Sequence, residues 1–139
     1  MRVELSDEAR RYMGRFDELT GVAPRDCLVE GDRLVFVIPA GEMAAAIGQG
    51  GATVTEAERR LGRSVELVED ADTPESFVAS ALAPAAVTAV TISEQDDRVA
   101  YVEVAPADRG VAIGADGQNI ETARTLAKRH YDVDDVQLT

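Results

Sequence analysis

A chain of 139 residues with 45% hydrophobic content is long enough to bury a core, either as one domain or as two small ones, while its 4% aromatic content and lack of Trp remove one common means of gripping bases or sugars. A single cysteine, Cys27, excludes an intramolecular disulfide and a thiolate metal cluster, and its apolar neighbours Leu28 and Val29 mark it as a buried strand thiol rather than a nucleophile. The formal net charge of −12, from 26 acidic against 14 basic residues of which only Lys128 is a lysine, has the opposite sign to that of a generic nucleic-acid binder.

Three readings fit that charge: an acidic protein with a basic partner, a plain soluble domain, or a protein adapted to a cytoplasm at very high salt. Acid spread over the whole chain and near absence of lysine favour the third, a composition that resembles proteins of extreme halophiles. In molar salt the Debye length is about 3 Å, so net charge no longer forbids an anionic ligand. No apolar run approaches the ~18 residues of a membrane span, and the N-terminus lacks the basic-then-apolar pattern of a signal peptide. A cytoplasmic protein without membrane association is therefore expected.

Taken in chain order, Ser6 is placed to cap a helix that carries Asp7 and Glu8 in its first turn, Ala9, Met13 and Phe16 on one face, and Gly21 past its end. "CLV" and "RLVFVIP", separated by the polar turn Glu30 to Asp32, read as a hairpin stopped by Pro39. "AGEMAAAI" suits one or two helical turns and leads into "IGQGG", Ile47 to Gly51, where a helix begins. "SVELVE" closes the unit as a strand. After the acidic connection Glu69 to Pro74, the same order returns. Thr73 and Pro74 signal a shorter helix containing Phe77, Val78 and Leu82, which ends before Pro84. "AVTI" and "RVAYVEVAP" form the second hairpin, "ADRGVAI" leads into "IGADG" at Ile113 to Gly117, a helix follows, and "DVQLT" is the last strand.

The two halves match position by position around the glycine turns. Ile47, Gly48, Gly51, Val54, Ala57 and Leu61 correspond to Ile113, Gly114, Gly117, Ile120, Ala123 and Ala127, each pair 66 residues apart. The apolar positions after each turn make one helix face. Residues 1–70 and 71–139 are therefore read as two copies of one α+β unit, each of ~65 residues and so marginal by itself.

A glycine pair spaced by two residues just before a helix lets the backbone turn sharply and removes the Cβ that would hold a phosphate away, while the helix N-terminus presents N–H groups and a partial positive charge. The plainer alternative is that Gly51 and Gly117 only permit close helix packing. Two copies with the same apolar frame favour the ligand reading. "IGQGGATV" and "IGADGQNI" resemble the KH-domain signature, and the element order resembles its prokaryotic, type II form: two KH domains in tandem, each a three-stranded mixed sheet packed against helices. Tandem layout and size resemble the archaeal NusA-like transcription factors.

By that resemblance each turn would clamp about four nucleotides of single-stranded RNA, phosphates against the loop and bases along an apolar groove. The first clamp would be Gly48, Gln49, Gly50 and Gly51, the second Gly114, Ala115, Asp116 and Gly117. Ile47, Val54, Ile113 and Ile120 would lie at the groove floor or in the adjoining core. The loop positions that often carry a basic residue in the family hold Gln49 with Gly50, and Ala115 with Asp116. Gln49 can donate to a phosphate, whereas the Asp116 carboxylate repels one unless screened, and its alternative role is a helix N-cap. Loss of RNA binding by the second domain is an open alternative. Of the basic residues, Arg60 and Arg124 flank the buried stripe within reach of RNA. Arg59, Arg63 and Arg129 point outward, and the clusters also suit the helix C-termini.

An enzyme is the weaker class: "IGQGG" lacks the Lys-Ser/Thr of a P-loop, "IGADGQNI" lacks the third glycine of a dinucleotide site, and His130 is alone. No catalytic residue, metal or cofactor is called for. The expected function is binding of single-stranded RNA as a monomer during transcription elongation, termination or antitermination, with RNA polymerase as a further partner. The alternative is a KH-fold platform for polymerase or ribosome with weak or lost RNA binding.

Overall fold

The computed structural model describes residues 5–139, which divide into two compact units, residues 5–70 and 71–139. In the first unit α1 (Asp7–Thr20) is capped as the sequence predicts: the Ser6 hydroxyl accepts from the Ala9 amide at 3.1 Å, and Gly21 stops the helix at φ 76°. It is followed by β1 (Asp26–Glu30), β2 (Arg33–Ile38), α2 (Met43–Ile47), α3 (Ala52–Leu61) and β3 (Ser64–Glu69). The second unit repeats the order as α4 (Pro74–Ala81), β4 (Val87–Ser93), β5 (Val99–Val104), α5 (Arg109–Ile113), α6 (Gln118–Tyr131) and β6 (Asp135–Leu138). A single 3-10 turn joins α2 to α3 and α5 to α6.

Each unit is α+β, with a three-stranded mixed sheet centred on its second strand. β2 pairs antiparallel with β1, Cys27 opposite Phe36, and parallel with β3, Phe36 opposite Leu67. β5 likewise pairs antiparallel with β4 and parallel with β6, Ala100 opposite Val136. A parallel neighbour needs a crossover, and the α2–α3 and α5–α6 pairs supply it. Glycine turns therefore sit at the middle of a crossover, between a long helix, α3 or α6, that packs on the sheet and a short one, α2 or α5, that packs on the long helix.

The first core is built from Ala9 and Phe16 of α1, Leu34, Phe36 and Ile38 of β2, Ala46 of α2, and Ala57 and Leu61 of α3. Phe16 and Phe36 stack with ring centroids 4.3 Å apart. In the second, Phe77 of α4 packs against Tyr131, centroids 4.9 Å apart, and Ala100, Val102, Ala112, Ala123, Leu126 and Val136 are all fully buried. Removal of one such aromatic ring costs ~3–5 kcal/mol.

The copies differ at their ends. α3 stops at Gly62, φ 71°, whereas the corresponding position in α6 is Lys128 and that helix runs on to Asp132 in a left-handed cap, φ 55°. Glycine reaches that conformation without the Cβ penalty, so it ends the shorter helix earlier. α4 is the short helix in return, with 8 residues against 14 in α1, and Leu82 stands as its cap rather than inside it.

Candidate nucleic-acid interface

The two glycine turns have one backbone. Gly48 and Gly114 have φ/ψ of 77/169° and 79/171°, Gly50 and Asp116 have 62/19° and 54/25°, and Gly51 and Gly117 have 79/11° and 76/13°. Each is closed by hydrogen bonds at both ends. Gly48 N–H donates to Ala44 O at 2.9 Å and Gly51 N–H to Gly48 O at 3.1 Å, while Gly114 N–H donates to Gly110 O at 2.9 Å and Gly117 N–H to Gly114 O at 3.1 Å.

The reason for glycine differs within each turn. A Cβ on Gly48 would stand 2.7 Å from the Thr53 backbone nitrogen, and one on Gly114 2.8 Å from that of Asn119, so the first glycine lets the turn fold against the start of the next helix. A Cβ on Gly51 or Gly117 would meet nothing within 4 Å; these positions need glycine for their positive φ, and the packing alternative does not apply to them. Neither α3 nor α6 has a side-chain cap; the Ala52 N–H donates back to Gln49 O and the Gln118 N–H to Ala115 O, so the positive end of each helix faces a ligand or solvent with no side chain across it.

Of the two places expected for them, groove floor or adjoining core, Ile47 and Ile113 are not in the core: they are 37% and 39% exposed. The fully buried residues of α2 and α5 are Ala46 and Ala112, one position earlier in each helix. Val111, 42% exposed, adds to the apolar surface at the second turn. Val54 is half-buried and Ile120 is in the core at 7% exposure.

Asp116 is not an N-cap. The turn places Gly117 at that position, and the exposed Asp116 carboxylate has no hydrogen-bond or ion-pair partner among the described residues. The Gln49 side chain at the first turn is exposed and equally free.

Arg60 and Arg124 lie ~14 and ~10 Å along their helices from the last glycine of the turns, at 1.5 Å per residue. Both are in ion pairs. Arg60 Nε is 2.9 Å from Glu56 Oε1, and Arg59 chelates the same carboxylate at 2.7 and 3.0 Å. The Arg59 and Arg60 guanidiniums hold the Glu56 carboxyl at about 2, against an ordinary value of 4.5. Arg124 Nε is 2.9 Å from Asp135 Oδ1 and donates to Val136 O at 3.0 Å, with a further pairing to Glu121.

Arg63 does not point outward: its Nε donates to the Tyr12 hydroxyl at 2.9 Å and its other end to the Gly31 carbonyl, tying α1 to the β1–β2 turn. Arg129 is half-buried. Thr53 and Asn119 are the residues that sequence reasoning passed over. Asn119 Nδ2 donates to Val111 O at 2.8 Å and fastens α6 to α5. Their spacing of 66, shared with Ala46 and Ala112, was the available signal.

Comparison with known proteins agrees with this geometry. The description of a KH domain matches residues 10–73, and that of a NusA-like second KH domain matches residues 74–138. Along its whole length the chain is 60% identical to "Probable transcription termination protein NusA" of Halobacterium salinarum, covering 100% of both chains. The chain belongs to the NusA family.

NusA of Halococcus morrhuae is 56% identical over 99% of each chain, and that of Methanocaldococcus jannaschii is 30% identical over 99% of this chain and 75% of its own. The crystal structure of APE1850 superposes with a TM-score of 0.82 at 28% identity, covering 97% of this chain and 100% of the other. Tandem KH domains of the NusA transcription-termination family thus account for the repeat, and halophilic NusA relatives for the acidic, lysine-poor composition. The family is one of transcription factors, and no helix among the described residues is long and apolar enough to cross a membrane.

Proposed function

We propose that the chain binds single-stranded RNA through both glycine turns as a transcription elongation, termination or antitermination factor, each half, 1–70 and 71–139, working as one KH module. One observation carries the reading: two turns with matching dihedral angles, each opening an uncapped helix N-terminus beside an exposed isoleucine. Phosphates would lie against the turns Gly48 to Gly51 and Gly114 to Gly117, where the missing Cβ atoms and the positive end of the following helix admit them, with the Gln49 amide as a donor. Bases would rest on Ile47, with half-buried Val54 beneath, and on Ile113 and Val111. Ile120 supports the second groove from the core, and Arg60 and Arg124 would reach the strand only by leaving their carboxylates. In molar salt counterion release adds little, so directional hydrogen bonds and apolar contact carry the affinity.

The same reading makes the protein a cytoplasmic monomer that acts on RNA emerging from RNA polymerase, with no chemical step of its own. It is tested by titrating labelled single-stranded RNA pools in molar KCl against the parent, Gly51→Asp and Gly117→Asp, each verified as folded. Loss of affinity in a variant assigns a clamp to its domain. Absence of binding by the parent in every pool would replace the reading with a KH-fold platform for polymerase or ribosomal proteins, which the net charge of −12 favours.

A further inference from the structure

The turns share a backbone but not a charge, and we infer that Asp116 makes the second clamp conditional on salt. At low ionic strength it holds RNA phosphate several-fold more weakly than an uncharged turn would, a penalty that fades in molar potassium and that the first clamp does not carry. The inference rests on the reading of both turns as RNA clamps.

Asp116 occupies the place of Gly50 with nearly the same dihedral angles, so the carboxylate is an addition to a turn whose backbone is otherwise the same. Nothing in its own unit neutralises it. Residues 71–139 hold five basic residues against twelve acidic ones, whereas residues 5–70 hold eight against thirteen. Four of those five have partners elsewhere. Arg98 is 2.8 Å from Glu94 and donates to Tyr131 O at 2.7 Å, Arg109 donates to Thr139 O at 2.7 Å, Arg124 is held by Asp135 and Glu121, and Lys128 lies 3.1 Å from Asp132 and 2.6 Å from Asp134. The fifth, Arg129, is half-buried and also has a partner.

A phosphate at the start of α6 therefore meets an uncompensated negative charge. At a separation of about 5 Å in water that repulsion weakens binding roughly fourfold, and more as the closing ligand excludes water. Screening over about 10 Å at 0.1 M shrinks to about 3 Å at 1 M, which removes most of the penalty. The first turn, with Gln49 and Gly50, has no such charge.

The test is anisotropy titration of single-stranded RNA pools with the full chain between about 0.1 and 3 M KCl, within the range in which circular dichroism shows each protein folded. Asp116→Gly gives the second turn the glycine that the first has at Gly50, Asp116→Asn removes charge while keeping a residue that tolerates positive φ, and Gly50→Asp makes the reciprocal change. At the low end both Asp116 variants are expected to bind about four- to tenfold tighter than the parent, the ratio falling towards one at the high end. Gly50→Asp is expected to weaken low-salt binding by a similar factor and to converge likewise.

A ratio that stays constant with salt would overturn the inference. So would a ratio of one throughout in a parent that binds RNA, which would leave the second turn for a protein contact. Failure of the parent to bind any pool would instead remove the RNA reading itself, and this inference with it.

Discussion

A Cβ on Gly48 would lie 2.6 Å from Cβ of Thr53, two atoms that cannot occupy adjacent space without moving the turn away from the helix it opens. With its φ of 77° the position is constrained twice. Gly48→Ala is expected to lower stability by about 2–4 kcal/mol, the sum of left-handed strain and overpacking, and Gly51→Ala, into open space, by about 1–2 kcal/mol. Denaturant titration in molar KCl measures both. Thr53→Ser should not rescue Gly48→Ala, because the Thr53 Cβ and backbone nitrogen remain.

The exposed isoleucines separate binding from folding. Ile47→Ser and Ile113→Ser are each expected to change stability by less than about 1 kcal/mol, since both side chains are already more than a third exposed. RNA affinity should fall several-fold in each. A variant that unfolds the protein, or one that leaves affinity unchanged, would show that its isoleucine serves packing alone.

The bond from Arg63 to Tyr12 joins α1 to the far end of α3. Tyr12→Phe removes only the hydroxyl and is expected to cost about 1 kcal/mol; Arg63→Ala loses the Gly31 carbonyl contact as well and should cost about 1–3 kcal/mol. A double-mutant cycle should return a coupling of about 0.5–1.5 kcal/mol.

Glu56 sets an acid-side prediction. Its carboxyl is depressed to about 2 by hydrogen bonds from Arg59 and Arg60, so its contribution is present above the unfolded value near 4.5 and is lost as pH falls from there towards 2. An NMR titration of the side-chain carboxyl should have its midpoint near 2, and Arg59→Gln should move it upward. Glu56→Gln should remove that residue's share of the pH dependence in the same window.

Arg124 joins α6 to β6 through Asp135 and the Val136 carbonyl. Arg124→Ala is expected to cost about 1–2 kcal/mol. If the side chain leaves these partners to reach RNA, affinity will fall as well; an affinity within twofold of the parent would confine its role to the fold.

The repeat, the element order and the placement of both turns were legible in the sequence because they depend on local chemistry. Ser6 and Thr73 cap where a hydroxyl precedes a helix, and glycine marks the positions that need positive φ. The antiparallel pairs followed from the hairpin turns, while the mixed sheet with its third strand was expected only from the KH resemblance. Asp116 escaped that logic: it takes φ 54° in a place where the partner turn has glycine, and so carries a side chain where a cap was expected.

What the sequence determined by itself is the chain of elements, since α1, α3 and α6 are long enough for periodicity to declare a buried face. α2 and α5 have five residues each, less than two turns, and no period can be read over that length. Only packing against the following helix decided that Ala46 and Ala112 turn inward and Ile47 and Ile113 outward. The apolar surface beside each glycine turn is thus a product of the tertiary structure, where contact between elements, and not pattern along the chain, selects which side chain meets solvent.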